Sequence, residues 1–261
     1  MTNYQDKLKE VIGWIISPPP QTTDGGVAEG VGFDNPLVPP GYEPLRSGMP
    51  MVNEIAVGRY VCLALIREKF ALAGDAVITV KSIVTERQRG ECRQGEHHSY
   101  SGSAEVSESK GARVDGVRAS LVHSHNGEVR RVHFHFGVLT PSAARFIRKS
   151  RGFEDAENIR LERQLGHSRS IDLHNVEYLP GEADRIVDGT RMDHIPALHL
   201  IDIMVSLSNQ STKTDVDNMT AVFHRYVDPR YAFHIITSDD GTIAVSQDQS
   251  TVSHIRFERS V

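Results

Sequence analysis

Residues 191–210, RMDHIPALHLIDIMVSLSNQ, bring together the residue types needed for proton chemistry. His194 stands just ahead of a run that reads as an apolar helix, and Asp202 lies in the middle of that run. An imidazole titrates near neutrality and can take up or deliver a proton. A carboxylate in apolar surroundings is costly unless hydrogen-bonded, and desolvation raises its pKa. On a helical wheel at ~100° per residue, His199, Asp202, Ser206, Asn209 and Gln210 fall within an arc of roughly 100°. Leu198, Leu200, Ile201, Ile203, Met204, Val205 and Leu207 fill the rest, with Ser208 as the polar exception. The polar arc has no Lys, Arg or Glu, which a surface helix would use. The pattern predicts a helix over about 197–210, buried on most sides, with one stripe facing an internal cleft. The plainer alternatives are a stripe facing solvent, or an Asp202 that is a capped structural acid.

Other constellations offer less. In VHSHNGEVRRVHFHFG, His123 and His125 share one strand face and His133 and His135 another, so a hairpin could bring the pairs together. Glu128 follows too soon for a cupin motif, and no further acid or cysteine completes a ligand set. The expectation is a polar outer sheet face and no metal. His97 and His98 are read as loop or strand-edge residues. Cys62 falls inside an apolar helix and is expected to pack in the core. Cys92, near Arg89 and Arg93, has the surroundings of an activated thiol but no assignable histidine partner. There is no nucleophile elbow, P-loop or dinucleotide fingerprint, and no cofactor is read.

The elements that must position His194 and Asp202 can be read by periodicity. Residues 1–49 hold a short amphipathic stretch, then SPPP and a Gly/Pro-rich run, which precludes a long helix or central strand and suggests an arm. Residues 50–140 begin with an apolar helix, MVNEIAVGRYVCLALIREKFAL, closed by Ala73-Gly74. Strands follow over 76–84 and 99–108, then a pair flanking Asn126-Gly127, a strong hairpin signal. Residues 141–169 are polar and rich in helix formers, and are expected to form a helical linker. Residues 170–261 repeat the order: SIDLHNVEYL as a strand, the helix already described, then MTAVFHRYV, YAFHIIT, TIAVSQ and VSHIRFER. The middle pair is joined across SDDG. Each half is thus one apolar helix followed by antiparallel strands. That pattern predicts an α+β double hotdog: two units, each a long helix wrapped by a curved antiparallel sheet.

DHIPALHLID, Asp193 to Asp202, resembles the DH-x-P-G-x-x-L-L-E signature of the A-factor (γ-butyrolactone) biosynthesis hotdog family. His194, Pro196 and the acid eight residues after the histidine align without a gap; Asp202 stands for the family's Glu and Ala197 for its Gly. Pro50 and Glu54 loosely match a proline and helix-borne acid in the first unit of such proteins. The same residues are similar to the HxP motif of β-hydroxyacyl-thioester dehydratases and to HPALLD of polyketide-synthase dehydratase domains. The resemblance implies an enzyme acting on an acyl thioester of a carrier protein or coenzyme A in specialised-metabolite (polyketide or butyrolactone-like) synthesis. Acyl transfer to a hydroxylated acceptor is the first expectation, and dehydration or thioester hydrolysis the alternative. A third reading is a non-catalytic acyl-binding scaffold, since the first helix lacks a clear His–acid pair. The expected catalytic residues are His194, Asp202 and, more weakly, Glu54; Ala197, Leu198, His199, Ser206 and Asn209 would line the pocket.

Composition bounds these readings. The chain has 261 residues, 24% charged and 39% hydrophobic, enough for a sizeable core. Its net charge of −5, with acids and bases interspersed, offers no field for nucleic acid. No apolar run reaches membrane-span length, no signal-peptide pattern is read, and Cys62 and Cys92 lack CxxC spacing. A cytoplasmic protein is expected. Two hotdogs in one chain already make the usual dimeric unit, so a monomer or a homodimer of that unit is expected.

Overall fold

The computed structural model describes residues 50–70, 72, 75–89, 98–125, 128–153, 155–187, 190–207 and 218–258. The expected arm at 1–49 therefore lies outside the described residues, as do Cys92, His97, Asn209 and Gln210.

Helix α1 (Pro50–Phe70) opens the first unit. Its Val52, Ile55, Ala56, Val61, Cys62 and Ile66 are each 1% exposed or less, so one face of the helix is buried from the first turn to Ile66, while Arg67 and Lys69 of the last turn are exposed. Four long strands follow: β1 (Val77–Arg89), β2 (His98–Lys110), β3 (Arg113–His125) and β4 (Glu128–Leu139). They alternate as half-buried strands should, with Val132, Phe134 and Phe136 of β4 turned inward. Phe134 and Phe136 stack at 5.2 Å between ring centroids. Strands β3 and β4 pair down to His125 opposite Glu128, the two-residue spacing that Asn126-Gly127 predicts.

The expected helical linker is helical only in its first third, α2 (Pro141–Ser150). Thr140 caps it by accepting from the Ala143 amide at 3.2 Å, and Pro141 fits the first turn, where its missing N–H is not needed. Gly152, at φ +71°, closes it. From there to Gly166 the described residues form turns and irregular chain. Buried Arg185 replaces helical hydrogen bonding in that segment by donating to the carbonyls of Ala156 and Ile159.

The expected strand 170–179 is also corrected. It is a hairpin, β5 (His167–Ser170) and β6 (Asn175–Leu179), because the Asp172 carboxylate accepts from the His174 amide at 2.8 Å and turns the chain. A 3-10 turn at Glu182–Arg185 and a small ribbon, β7 (Ile186–Val187) with β8 (Thr190–Arg191), lead to α3 (Ala197–Leu207). Strands β9 (Asn218–Phe223), β10 (Phe233–Thr237), β11 (Ile243–Gln247) and β12 (Ser250–Glu258) complete the unit.

All ten long-sheet strands belong to one antiparallel sheet, ordered β2-β3-β4-β1-β9-β12-β11-β10-β6-β5. The units meet edge to edge where Ser82–Thr85 of β1 pair with Met219–Val222 of β9. Helix α1 packs on β2, β3 and β4, α3 packs on β11, and the two helices touch. The apolar residues of both units form one cluster around this helix pair. No described helix is long and apolar enough to cross a membrane.

Candidate active site

His194 is positioned from both sides by backbone pairing. The Ile195 amide donates to the Val227 carbonyl at 3.0 Å, which lays the segment before α3 beside the segment after β9. This sets the His194 ring 4.3 Å from the Tyr226 ring, tilted by 41°. Upstream, Met192 and Arg185 exchange hydrogen bonds: Met192 N donates to Arg185 O, and the Arg185 guanidinium donates to Met192 O, both at 2.8 Å. Leu200 N donates to Pro196 O at 2.9 Å, so α3 begins immediately after the histidine. The amides of its first turn have no intrahelical acceptor and carry the positive end of the helix dipole.

His194 is 9% exposed, and its Nδ1–H donates to Asp193 Oδ1 at 2.7 Å. The other Asp193 oxygen lies 3.0 Å from Nε of Arg148, an ion pair whose angle does not make a hydrogen bond. Helix α2 supplies that cation because Arg148 falls in its last turn. Burial by itself would raise the Asp193 carboxyl; the His194 hydrogen bond and the charges of His194 and Arg148 outweigh it and hold the group below the usual carboxylate value. An ionised Asp193 keeps the proton on Nδ1 and leaves the Nε2 lone pair free. Burial pushes the Tyr226 phenol up, so it stays protonated.

His194 borders a cavity of about 270 Å³. Its walls come from the start of β1 (Val77–Lys81), from α2 (Ile147, Arg148), from the entry to α3 and its first turn (Met192, Ile195, Pro196, Ala197, Leu200), from Phe223 at the end of β9 and from His224–Tyr226 after it. The site thus sits at the seam between units. With Nδ1 engaged by Asp193, Nε2 makes no hydrogen bond to a described residue.

The residues singled out by sequence are distributed as follows. His194 and Ala197 line the cavity. Leu198, His199 and Asp202 are 1%, 6% and 2% exposed and do not line it. His199 Nε2–H donates to the Ile186 carbonyl at 2.7 Å, tying α3 to the small ribbon. Ser206 Oγ is buried without a hydrogen-bond partner among the described residues. Glu54 lies elsewhere, ion-paired with Arg130, which also pairs with Glu128. His133 and His135 of the β3–β4 hairpin are also elsewhere. They border a separate groove with Ser103, Ser120 and Arg118, and His135 lies 3.2 Å from Ser107 Oγ. Among the described residues no three His, Cys, Asp or Glu side chains are grouped to hold a metal.

Asp193, Arg148 and Tyr226 were not assigned roles from sequence. Asp193 was visible as the first letter of the DH pair. Arg148 and Tyr226 reach the site only through tertiary pairing.

Fold and sheet order define a double-hotdog protein of the α+β class. No family model matches the chain, and no curated protein does. Among solved structures it is similar to the 12:0-ACP thioesterase from Umbellularia californica, at 13% identity and a TM-score of 0.51, over 82% of this chain and 91% of that one. HtdX from Mycobacterium tuberculosis aligns at 11% identity and a TM-score of 0.47, over 87% and 96%. A MaoC-like dehydratase from Phytophthora capsici aligns at 10% and 0.41, over 73% and 75%. At these identities the likeness is one of fold.

Proposed function

We propose that the protein processes an acyl thioester, delivered by a carrier protein or coenzyme A, and transfers the acyl group to a hydroxylated acceptor. The observation that carries this reading is the His194 ring, held through Nδ1 by an ionised Asp193 at the wall of a cavity that begins where α3 begins. His194 Nε2 removes the proton of the acceptor hydroxyl as its oxygen attacks the thioester carbonyl. The first-turn amides of α3 stabilise the charge that develops on the carbonyl oxygen. When the carbon–sulfur bond breaks, the imidazolium returns its proton to the departing thiolate, and an ester and a free thiol result.

Hydroxyl activation needs only one base beside the carbonyl. Dehydration needs an acid and a base on the same substrate; neither Asp202 nor Glu54 borders the cavity, and the Tyr226 phenol that does is made a weaker acid by burial. That asymmetry favours transfer, with hydrolysis as the same chemistry using water. The similarity of Asp193–Asp202 to the A-factor family signature supports the same class and suggests a place in specialised-metabolite synthesis.

The test is to incubate the protein with β-ketoacyl and β-hydroxyacyl thioesters, with and without a hydroxylated acceptor, and to follow product masses. A new ester is expected, and His194→Ala should reduce its rate by about 10²–10⁴-fold. Free acid alone would make the protein a hydrolase, and loss of water a dehydratase. No turnover, with binding equal in wild type and His194→Ala, would leave an acyl-binding scaffold.

A further inference from the structure

We infer that Arg151 and Arg225, at the mouth of the His194 cavity, form a phosphate-binding site for the pantetheine-type arm that carries the acyl group. This deepens the acyl-thioester reading and rests on it.

The cavity wall carries Arg59, Lys81, Arg148, Arg151 and Arg225 and no carboxylate, in a chain whose net charge is −5. Two of these cations are already held by acids: Lys81 by Glu108 at 2.8 Å and Arg148 by Asp193 at 3.0 Å. Arg151 and Arg225 have no acidic partner among the described residues. Both are exposed, whereas Val187, Ile195 and Leu200 of the same wall are 4%, 3% and 2% exposed. The cavity wall therefore has an exposed cationic part and a buried apolar part, and His194, 9% exposed, lies on the same wall. A thioester on a phosphorylated carrier arm has the same polarity: an apolar acyl chain, a reactive carbonyl, then a thiol arm ending in phosphate.

The two guanidinium groups hang from fixed backbone. Arg151 follows the last turn of α2, where the next carbonyl, Gly152 O, accepts from Arg230 at 2.8 Å. The following ring, Phe153, packs edge-on against Tyr226 with centroids 6.2 Å apart. Arg225 donates its amide to Val252 O at 3.2 Å and immediately precedes Tyr226, whose ring lies tilted against His194. Planar guanidinium groups match phosphate oxygens bidentately, and a backbone fixed in advance leaves only the two side chains to be ordered on binding.

Coenzyme A and the prosthetic arm of a carrier protein share the phosphate of 4′-phosphopantetheine. Calorimetry with pantetheine, 4′-phosphopantetheine and coenzyme A separates the sources. The wild type should bind 4′-phosphopantetheine at least about tenfold tighter than pantetheine, and Arg151→Ala or Arg225→Ala should each narrow that gap several-fold. Coenzyme A binding more than about tenfold tighter still assigns the site to the free coenzyme; equal binding assigns it to a carrier's arm. The proposal is overturned if phosphate adds nothing, if neither ligand binds, or if the variants weaken both ligands equally. Discrimination without turnover would sink acyl transfer alone, and turnover without discrimination would sink the phosphate site alone.

Discussion

Asp193→Asn removes one charge from the site while keeping the side chain's shape. The wild-type carboxylate is 5% exposed and accepts from His194 at 2.7 Å. A hydrogen bond to a charged group is worth about 1.5–3 kcal/mol. If that bond orients the ring and stabilises the imidazolium in the transition state, its loss lowers kcat by about 10–100-fold, at roughly 1.4 kcal/mol per tenfold. KM should change little, because the carboxylate does not line the cavity. The amide can also donate to Nδ1, which favours a proton on Nε2, the nitrogen that must accept one. Thiol release from an acyl thioester in the presence of acceptor measures the rate, and imidazole ¹⁵N shifts report the tautomer independently of turnover. The pH dependence of stability carries a further sign. The folded pKa of Asp193 is lowered, so its stabilisation is fully present above its ordinary value of about 3.9 and is lost as pH falls through the lower native value. Urea titrations should show that acid-side loss in wild type and less of it in D193N. A kcat within twofold of wild type together with an unchanged tautomer would refute the assigned role of Asp193.

Three other outcomes test the frame around the site. Arg185 is 0% exposed and serves the carbonyls of Ala156, Ile159 and Met192 as well as Glu182, so Arg185→Met should cost about 3–5 kcal/mol in urea unfolding, because the carbonyls of Ala156 and Met192 lose this donor and Ile159 and Glu182 keep only Arg160 and Arg191. A Cβ on Gly181 would sit 2.3 Å from the Leu165 carbonyl carbon, so Gly181→Ala should destabilise by about 3 kcal/mol by forcing two backbone segments apart. Burial pushes the Cys62 thiol up to about 12, so iodoacetamide at pH 8 should leave Cys62 unmodified in native protein and alkylate it in urea, as peptide mass mapping would show.

Local patterns carried much of the fold. The apolar run of α1, the alternation of β1 to β4 and the two-residue spacing at Asn126-Gly127 depend on neighbours in sequence, and the structure follows them. Where the readings failed, one segment was decided by a distant partner and the other by a side chain inside it. The segment after Gly152 has helix-forming composition, yet buried Arg185 takes up its carbonyls and it is not a helix. The stretch 170–179 has strand composition, yet Asp172 turns it into a hairpin.

The sequence by itself determined that α3 would be a sequestered helix with His194 at its entry, because apolar periodicity and a proline-led start are local properties. It also pointed to a buried carboxylate at Asp202, which is 2% exposed, but placed it on a stripe facing a cleft, whereas Asp202 does not line the cavity. Only the tertiary structure decided which groups meet His194. Arg148 comes from the linker, Tyr226 from beyond β9 and the cavity wall from β1, all brought together by the pairing of β1 with β9 and of Ile195 with Val227. Spacing along a chain sets periodicity; the proximity of residues far apart in it is set by how sheets join and what must be buried between them.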